Sequence, residues 1–140
     1  MSLFVVDASV GIKWFVPEVL TPEALMFRNV VHDLHVPAFF DVEIASVVWK
    51  KLRRGELNRI DANDIVMQLP VLPLTRHPES SLLASALDLA DQAQRSVYDC
   101  LDLALAKQLG GIMITADERL VNSLAKTPWA MLVRWLGAVS

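Results

Sequence analysis

Two kinds of apolar pattern alternate along this chain. Short runs with almost no polar interruption, LFVV (Leu3 to Val6) and IMIT (Ile112 to Thr115), match strands buried on both faces. HVP (His35 to Pro37), VLPLT (Val71 to Thr75) and AMLVRW (Ala130 to Trp135) are weaker runs of the same kind. Pro73 confines VLPLT to a sheet edge, because proline has no N–H to give a ladder. Between the runs, apolar positions recur at helical spacing. TPEALMFRNVVHDL opens with Thr21 as N-cap and Pro22 at the first helical position. FFDVEIASVVWKKLRRG carries Ala45, Val48, Trp49 and Leu52 at i, i+3, i+4 and i+7, and stops at Gly55. IDANDIVMQL is a short helix with Asp61 as N-cap, ended by Pro70. PESSLLASALDLADQAQ starts a helix at Pro78. SVYDCLDLALA runs on as another to Gly110 and Gly111, and ADERLVNSLAK is a last one before Pro128.

Strands alternating with helices imply parallel pairing through crossovers. The expected fold class is α/β, a three-layer α/β/α sandwich with a mostly parallel central sheet of four to five strands. With 140 residues and no repeat, low-complexity tract or linker, residues 1–140 are expected to form a single domain.

Composition narrows the function. The chain is 54% hydrophobic, which supplies a core and at least one apolar interface, in a homodimer or with a partner. No apolar run approaches the ~18 residues of a membrane span. The opening MSLFVVDASV has an acid and no basic region, unlike a secretory leader. One cysteine, Cys100, allows no internal disulfide and fits a reducing cytoplasm. A net charge of −3 argues against tight, non-specific nucleic-acid binding. The densest basic run is KKLRR, from Lys50 to Arg54. It either complements a helix C-terminus or meets phosphate, and Lys13 is a second candidate phosphate contact.

The acids carry the chemistry. In open parallel sheets, function collects beyond the carboxyl ends of the strands. Asp7 follows LFVV directly and Asp117 stands two residues past IMIT; Glu43 is placed in the first turn of the helix after HVP, and Asp99 in the first turn of its own. Each acid but Asp7 has an ordinary reading: Asp99 completes a capping box with Ser96, Asp117 caps the next helix, and Glu43 shares a polar stripe with Ser46 and Lys50. Asp99 and Asp102 are about 60° apart on the helix, and their side continues as Leu103, Ala106 and Leu109. Neither has a cation four residues on. Such carboxylates must protonate or hold a cation. The ligands are all oxygens, no histidine falls at a corresponding turn, and Cys100 points away from Asp99. That set suits Mg²⁺ or Mn²⁺ over zinc, and activation of water for in-line displacement at phosphorus. Cys100 reads as a small buried hydrophobe. A phosphoacceptor receiver would need paired acids after the first strand and a lysine after the last, a haloacid-type phosphatase an Asp-x-Asp; Ser9 stands at the second of those positions. A non-catalytic interaction module with this fold is the remaining alternative.

Three stretches in order, VVDASVGIKWFVPE, PAFFDVEIASVVWKKLRRGEL and SVYDCLDLALAKQLGGIMITADERL, resemble the PIN-domain ribonucleases, in particular the VapC toxins of toxin–antitoxin pairs. The resemblance covers most of the chain. It implies an acidic pocket at the carboxyl end of a parallel sheet, with Asp7, Glu43, Asp99 and Asp117 as catalytic and metal-binding residues for RNA cleavage. Ser9 and Thr115 match positions that support the pocket by hydrogen bonding. The class implies a homodimer inhibited by a cognate antitoxin. Asp102 departs from the pattern, which more often has an aromatic or apolar residue there. It is a fifth pocket acid, a supporting partner, or a contact for an antitoxin arginine. Trp14, Phe15 and Trp49 are read as core or interface residues before base-stacking ones, with WFVP (Trp14 to Pro17) as the expected interface segment.

Overall fold

The two strongest apolar runs lie side by side. β1 (Ser2–Val6) and β4 (Ile112–Thr115) pair in parallel, with Phe4 opposite Ile112 and Val6 opposite Ile114. β2 (His32–Pro37) flanks β1 on its other side. β3 (Thr75–His77) lies outside β2, and β5 (Val133–Trp135) outside β4. The sheet order is β3-β2-β1-β4-β5 and every pairing is parallel. This computed structural model describes residues 2–29 and 32–138. Among them, no helix is long and apolar enough to cross a membrane.

Alternation along the strands sorts the core into two halves. Phe4, Val6, Leu34, Val36 and Ile114 pack on one face. Their partners are Val10 of α1 (Ala8–Gly11), Ala24 of α2 (Thr21–Met26), Phe40 and Ile44 of α3 (Phe39–Arg53), and Ile65 of α4 (Arg59–Gln68). Val5, Met113 and Val133 face the other way. They meet Leu89 of α5 (Leu83–Ala93), Leu103 and Leu105 of α6 (Val97–Leu109), and Leu120 and Leu124 of α7 (Glu118–Leu124). Helices cover both faces of a five-stranded parallel sheet, the three-layer arrangement expected.

α6 is the pivot of the second half, with every residue from Cys100 to Ala106 buried. Gly110 ends it in the left-handed region at φ 70°, which a glycine adopts without steric cost. At Gly111 a Cβ would come within 2.9 Å of the Leu3 carbonyl oxygen. Gly111→Ala is therefore expected to destabilise the fold by about 1–3 kcal/mol, read as a lowered midpoint in urea unfolding.

Several elements differ from the sequence expectation. The stretch TPEALMFRNVVHDL is helical only to Met26, and His32 to Leu34 belong to β2; Val30 and Val31 lie outside the described residues. Leu20, at φ 69°, precedes α2, while the Thr21 hydroxyl accepts from the Glu18 N–H at 2.8 Å. The cap of α4 is Asn58, whose side chain accepts from the Asp61 N–H at 2.8 Å. VLPLT is not a strand. Leu69–Val71 form a 3-10 turn, and β3 begins at Thr75, beyond both prolines that withhold donors, although it is an edge strand as expected. PESSLL opens as a 3-10 turn before α5, and the last strand is shortened to Val133–Trp135. On α3 the buried residues are Phe40, Ile44 and Val48, and Trp49 is 53% exposed beneath the Arg53 guanidinium. Trp14 is buried in its own chain's core and donates its indole N–H to the Ala24 carbonyl at 2.8 Å, while Phe15 and Val16 of the same segment are half-buried and Pro17 is exposed.

Candidate active site

The chain leaves β1 toward β2 and β3 on one side of the sheet, while β4 and β5 build the other. At such a switch point the loops beyond adjacent strands diverge and open a crevice. Asp7 and Asp117 flank this point. The Asp7 N–H continues the ladder to the Ile114 carbonyl at 3.0 Å. Its Oδ2 accepts from the hydroxyls of Ser9 and Thr115, both at 2.8 Å. Those hydroxyls accept in turn from the backbone N–H groups of Ala116 and Asp117, both at 3.0 Å, which laces the two turns together. Burial still outweighs these bonds and, with the Asp99 charge added, raises the Asp7 carboxyl above its ordinary value.

Glu43 reaches the same crevice from α3. It lies in the second helical turn. The first-turn acid is Asp41, which the Arg76 guanidinium engages at 2.7 and 3.1 Å. Glu43 shares a cleft of about 460 Å³ with Asp7, Ser9, Phe39, Lys50 and Tyr98. Burial pushes its carboxyl up to about 7, and Asp7 and Asp99 add repulsion.

Ser96 caps α6, its hydroxyl accepting from the Asp99 N–H at 3.1 Å, so Asp99 does sit in the first turn. The expectation that Asp99 lacks a cation fails. Arg95, four residues before it rather than after, brings Nη2 to 3.4 Å from Asp99 and 3.5 Å from Asp117. Asp117 also caps α7, its Oδ1 accepting from the Leu120 N–H at 3.2 Å. Its ordinary role is thus real, and it joins the acids through Arg95. Asp102 is 4% exposed. Burial holds its carboxyl well above the usual range, reinforced by the Asp7 and Glu43 charges, a hydrogen bond shared with Asp7, and Asp99.

The fold therefore couples Asp7, Glu43, Asp99 and Asp102, with Asp117 tethered alongside. Among the described residues, no three His, Cys, Asp or Glu side chains already form an ion cage. Arg95 occupies the space between Asp99 and Asp117, and the Leu120 N–H engages the second of these. The other candidates separate cleanly. Burial raises the Cys100 thiol to about 11, which leaves it unreactive. Lys13 does not face the crevice: it and Lys51 clasp Glu18 at 3.1 and 2.8 Å. His77 does end a strand, but the outermost one, where it pairs with His35 at 2.8 Å. The sequence reading missed Arg95 and Tyr98 as site residues. A search for cations on both sides of each acid, and for exposed aromatics next to them, would have found both.

Residues 4–126 match the model of the PIN domain. The chain belongs to the PIN-domain family. Among similar proteins, ribonuclease VapC3 of Pyrobaculum aerophilum is 32% identical over 84% of this chain and 92% of its own length. Ribonuclease VapC3 of Mycobacterium tuberculosis is 33% identical over 85% of each chain. The crystal structure of PAE2754 from Pyrobaculum aerophilum superposes with a TM-score of 0.63 at 19% identity, over 97% of this chain and 85% of that one. A toxin–antitoxin complex from Klebsiella pneumoniae gives 0.64 at 17% identity, over 96% of both. These two likenesses establish the fold; the VapC relatives place the chain within the family.

Proposed function

We propose that this PIN-domain protein is an endoribonuclease that hydrolyses RNA phosphodiester bonds with a divalent cation, Mg²⁺ or Mn²⁺, as the toxin of a toxin–antitoxin pair. The observation that carries the reading is the coupled carboxyl set at the sheet's switch point, where burial and mutual repulsion raise Asp7, Glu43 and Asp102 together. A protein gains nothing in stability from such a set, whereas a cation relieves it. The donors are hard oxygens with no thiolate or imidazole among them, which fits Mg²⁺ or Mn²⁺.

Asp7, Glu43 and Asp99 would hold the cation, with Asp117 able to join once it leaves Arg95. A bound divalent cation would supply charge neutralisation for the in-line displacement and activation of water. The chain's own residues do the rest. Ser9 and Thr115 fix the Asp7 rotamer by donating to a single oxygen. Asp102 braces Asp7 from the buried side, and Glu43 is placed to orient or deprotonate the attacking water, its carboxyl at about 7 matching that task. An antitoxin and a second copy of the chain are the expected protein partners, and large exposed apolar side chains such as Val19 and Met131 give them surface to cover. A reducing, cytoplasmic setting follows from this role and suits the free thiol of Cys100.

Titrating Mg²⁺ or Mn²⁺ into the purified protein with a labelled RNA is expected to give saturable cleavage that excess chelator abolishes. Cleavage undiminished by chelator removes the cation from the mechanism, and no cleavage of any RNA favours the non-catalytic interaction module.

A further inference from the structure

One surface beside the acids remains unused by this reading. Along α3, Glu43, Ser46, Val47 and Lys50 fall at i, i+3, i+4 and i+7 and line one side of the cleft. Tyr98 of α6 joins the lining, its ring stacked on that of Phe39, the first residue of α3, at 5.3 Å with 29° between planes. Tyr98 is nonetheless 63% exposed, so part of its ring is open to solvent beside the acids. Lys50 is exposed and has no ion-pair partner among the described residues, whereas its neighbour Lys51 is committed to Glu18. Lys50 also lines a second cavity with Trp49, Arg53 and Arg54. There Trp49, 53% exposed, lies under the Arg53 guanidinium at 4.9 Å. The KKLRR run is thus split by the fold, one cation turned inward and the others exposed around an aromatic ring.

We propose that Tyr98, Lys50 and the Trp49–Arg53 pair form a single-stranded RNA track that leads out of the catalytic crevice along α3. It rests on the ribonuclease reading above. An unpaired base stacks against Tyr98, which Phe39 holds in place, and Lys50 meets the adjoining phosphate ~10 Å of helix away from Glu43. A further base stacks at Trp49, with Arg53 contributing charge. Alternating aromatic faces and cations are the chemistry that single strands require, since every base has a π-face and every linkage a charge. The track gives an anionic substrate a local strip of cations and rings beside the acids of a chain whose net charge is −3.

The test uses the whole protein and a fluorescent, mixed-sequence single-stranded RNA 12-mer. Binding is followed by anisotropy in chelator, and cleavage in Mn²⁺. Tyr98→Ala and Trp49→Ala are expected to weaken binding roughly tenfold and to raise KM with kcat little changed, and Tyr98→Phe and Trp49→Phe to restore it. Lys50→Ala should lower the salt dependence of binding by about 0.7 in the log–log slope, one phosphate contact's share. Wild-type protein that binds and cleaves while all three alanine variants match it overturns the track and leaves the ribonuclease intact. Unchanged RNA binding with a changed oligomeric mass in Trp49→Ala also overturns it, by making the patch a protein interface. Wild-type protein that neither binds nor cleaves RNA overturns the ribonuclease reading itself.

Discussion

Asp7→Asn is expected to lower single-turnover RNA cleavage by roughly 10²–10³-fold while leaving the protein folded and, in chelator, slightly more stable. Asparagine is nearly the same shape, and its carbonyl can take both hydroxyl hydrogen bonds that Oδ2 now accepts from Ser9 and Thr115. The amide placed at the other oxygen gives a donor to the acids that currently repel Asp7. The variant therefore keeps the lacing of the β1 and β4 turns, removes a desolvated negative charge, and loses only what a cation needs. Stability and activity should move in opposite directions, the mark of a group placed for function at a structural cost. Asp7→Ala is a poorer probe, since it strands the Ser9 and Thr115 hydroxyls and mixes folding with chemistry. Cleavage by folded Asp7→Asn within tenfold of wild type would remove Asp7 from the catalytic set.

The sequence made some of this legible and hid the rest for physical reasons. β1 and β4 stood out because strands buried on both faces need uninterrupted apolar runs, and their central place in the sheet follows from that. Asp7 could be read because a strand end gives an acid no routine role. Asp99 could not be decided locally, since one residue serves both purposes: its N–H is capped by Ser96 while its carboxylate faces Arg95 and the other acids. β3 was misplaced because apolar character spoke for VLPLT while the conformational limits of two prolines moved the strand downstream. The depth of Asp102 was visible only as a direction on a helical wheel. How far it is buried depends on packing against both β1 and β4, and no local pattern records that. The pairing of Lys13 and Lys51 with Glu18 was invisible for the same reason: Glu18 lies in a loop whose path only the fold sets.

The affinity of the site for Mn²⁺ should fall roughly hundredfold between pH 7 and pH 5. A carboxyl must shed its proton to hold a cation. The Glu43 carboxyl lies at about 7, raised by burial and then by Asp7 and Asp99. Below that pH each unit costs about a factor of ten per displaced proton, so two units cost about a hundred. Calorimetric titrations at pH 5, 6, 7 and 8 measure the slope, which should flatten above pH 8 and be largely abolished in Glu43→Gln. Without a cation the sign reverses. A raised carboxyl means that the folded chain binds more protons than the unfolded one between about 4.5 and 7, so the contribution is present at low pH and lost as pH rises through 7. Asp7 and Asp102 are displaced in the same direction. In chelator the protein is expected to melt higher at pH 5 than at pH 8, with Glu43 contributing on the order of 1 kcal/mol once its partial exposure to solvent is discounted. The window stops at pH 5 because Glu18 works the other way. Burial pushes it up, but Lys51 and Lys13 hold its carboxyl below the usual value, so its contribution is lost on acidification. Saturating Mn²⁺ should invert the order of the two melts, since the bound ion stabilises the folded state most where its affinity is highest. A chelated protein that melts higher at pH 8 than at pH 5, or a cation affinity flat across this range, contradicts a strained carboxyl set and leaves the crevice an ordinary acidic surface.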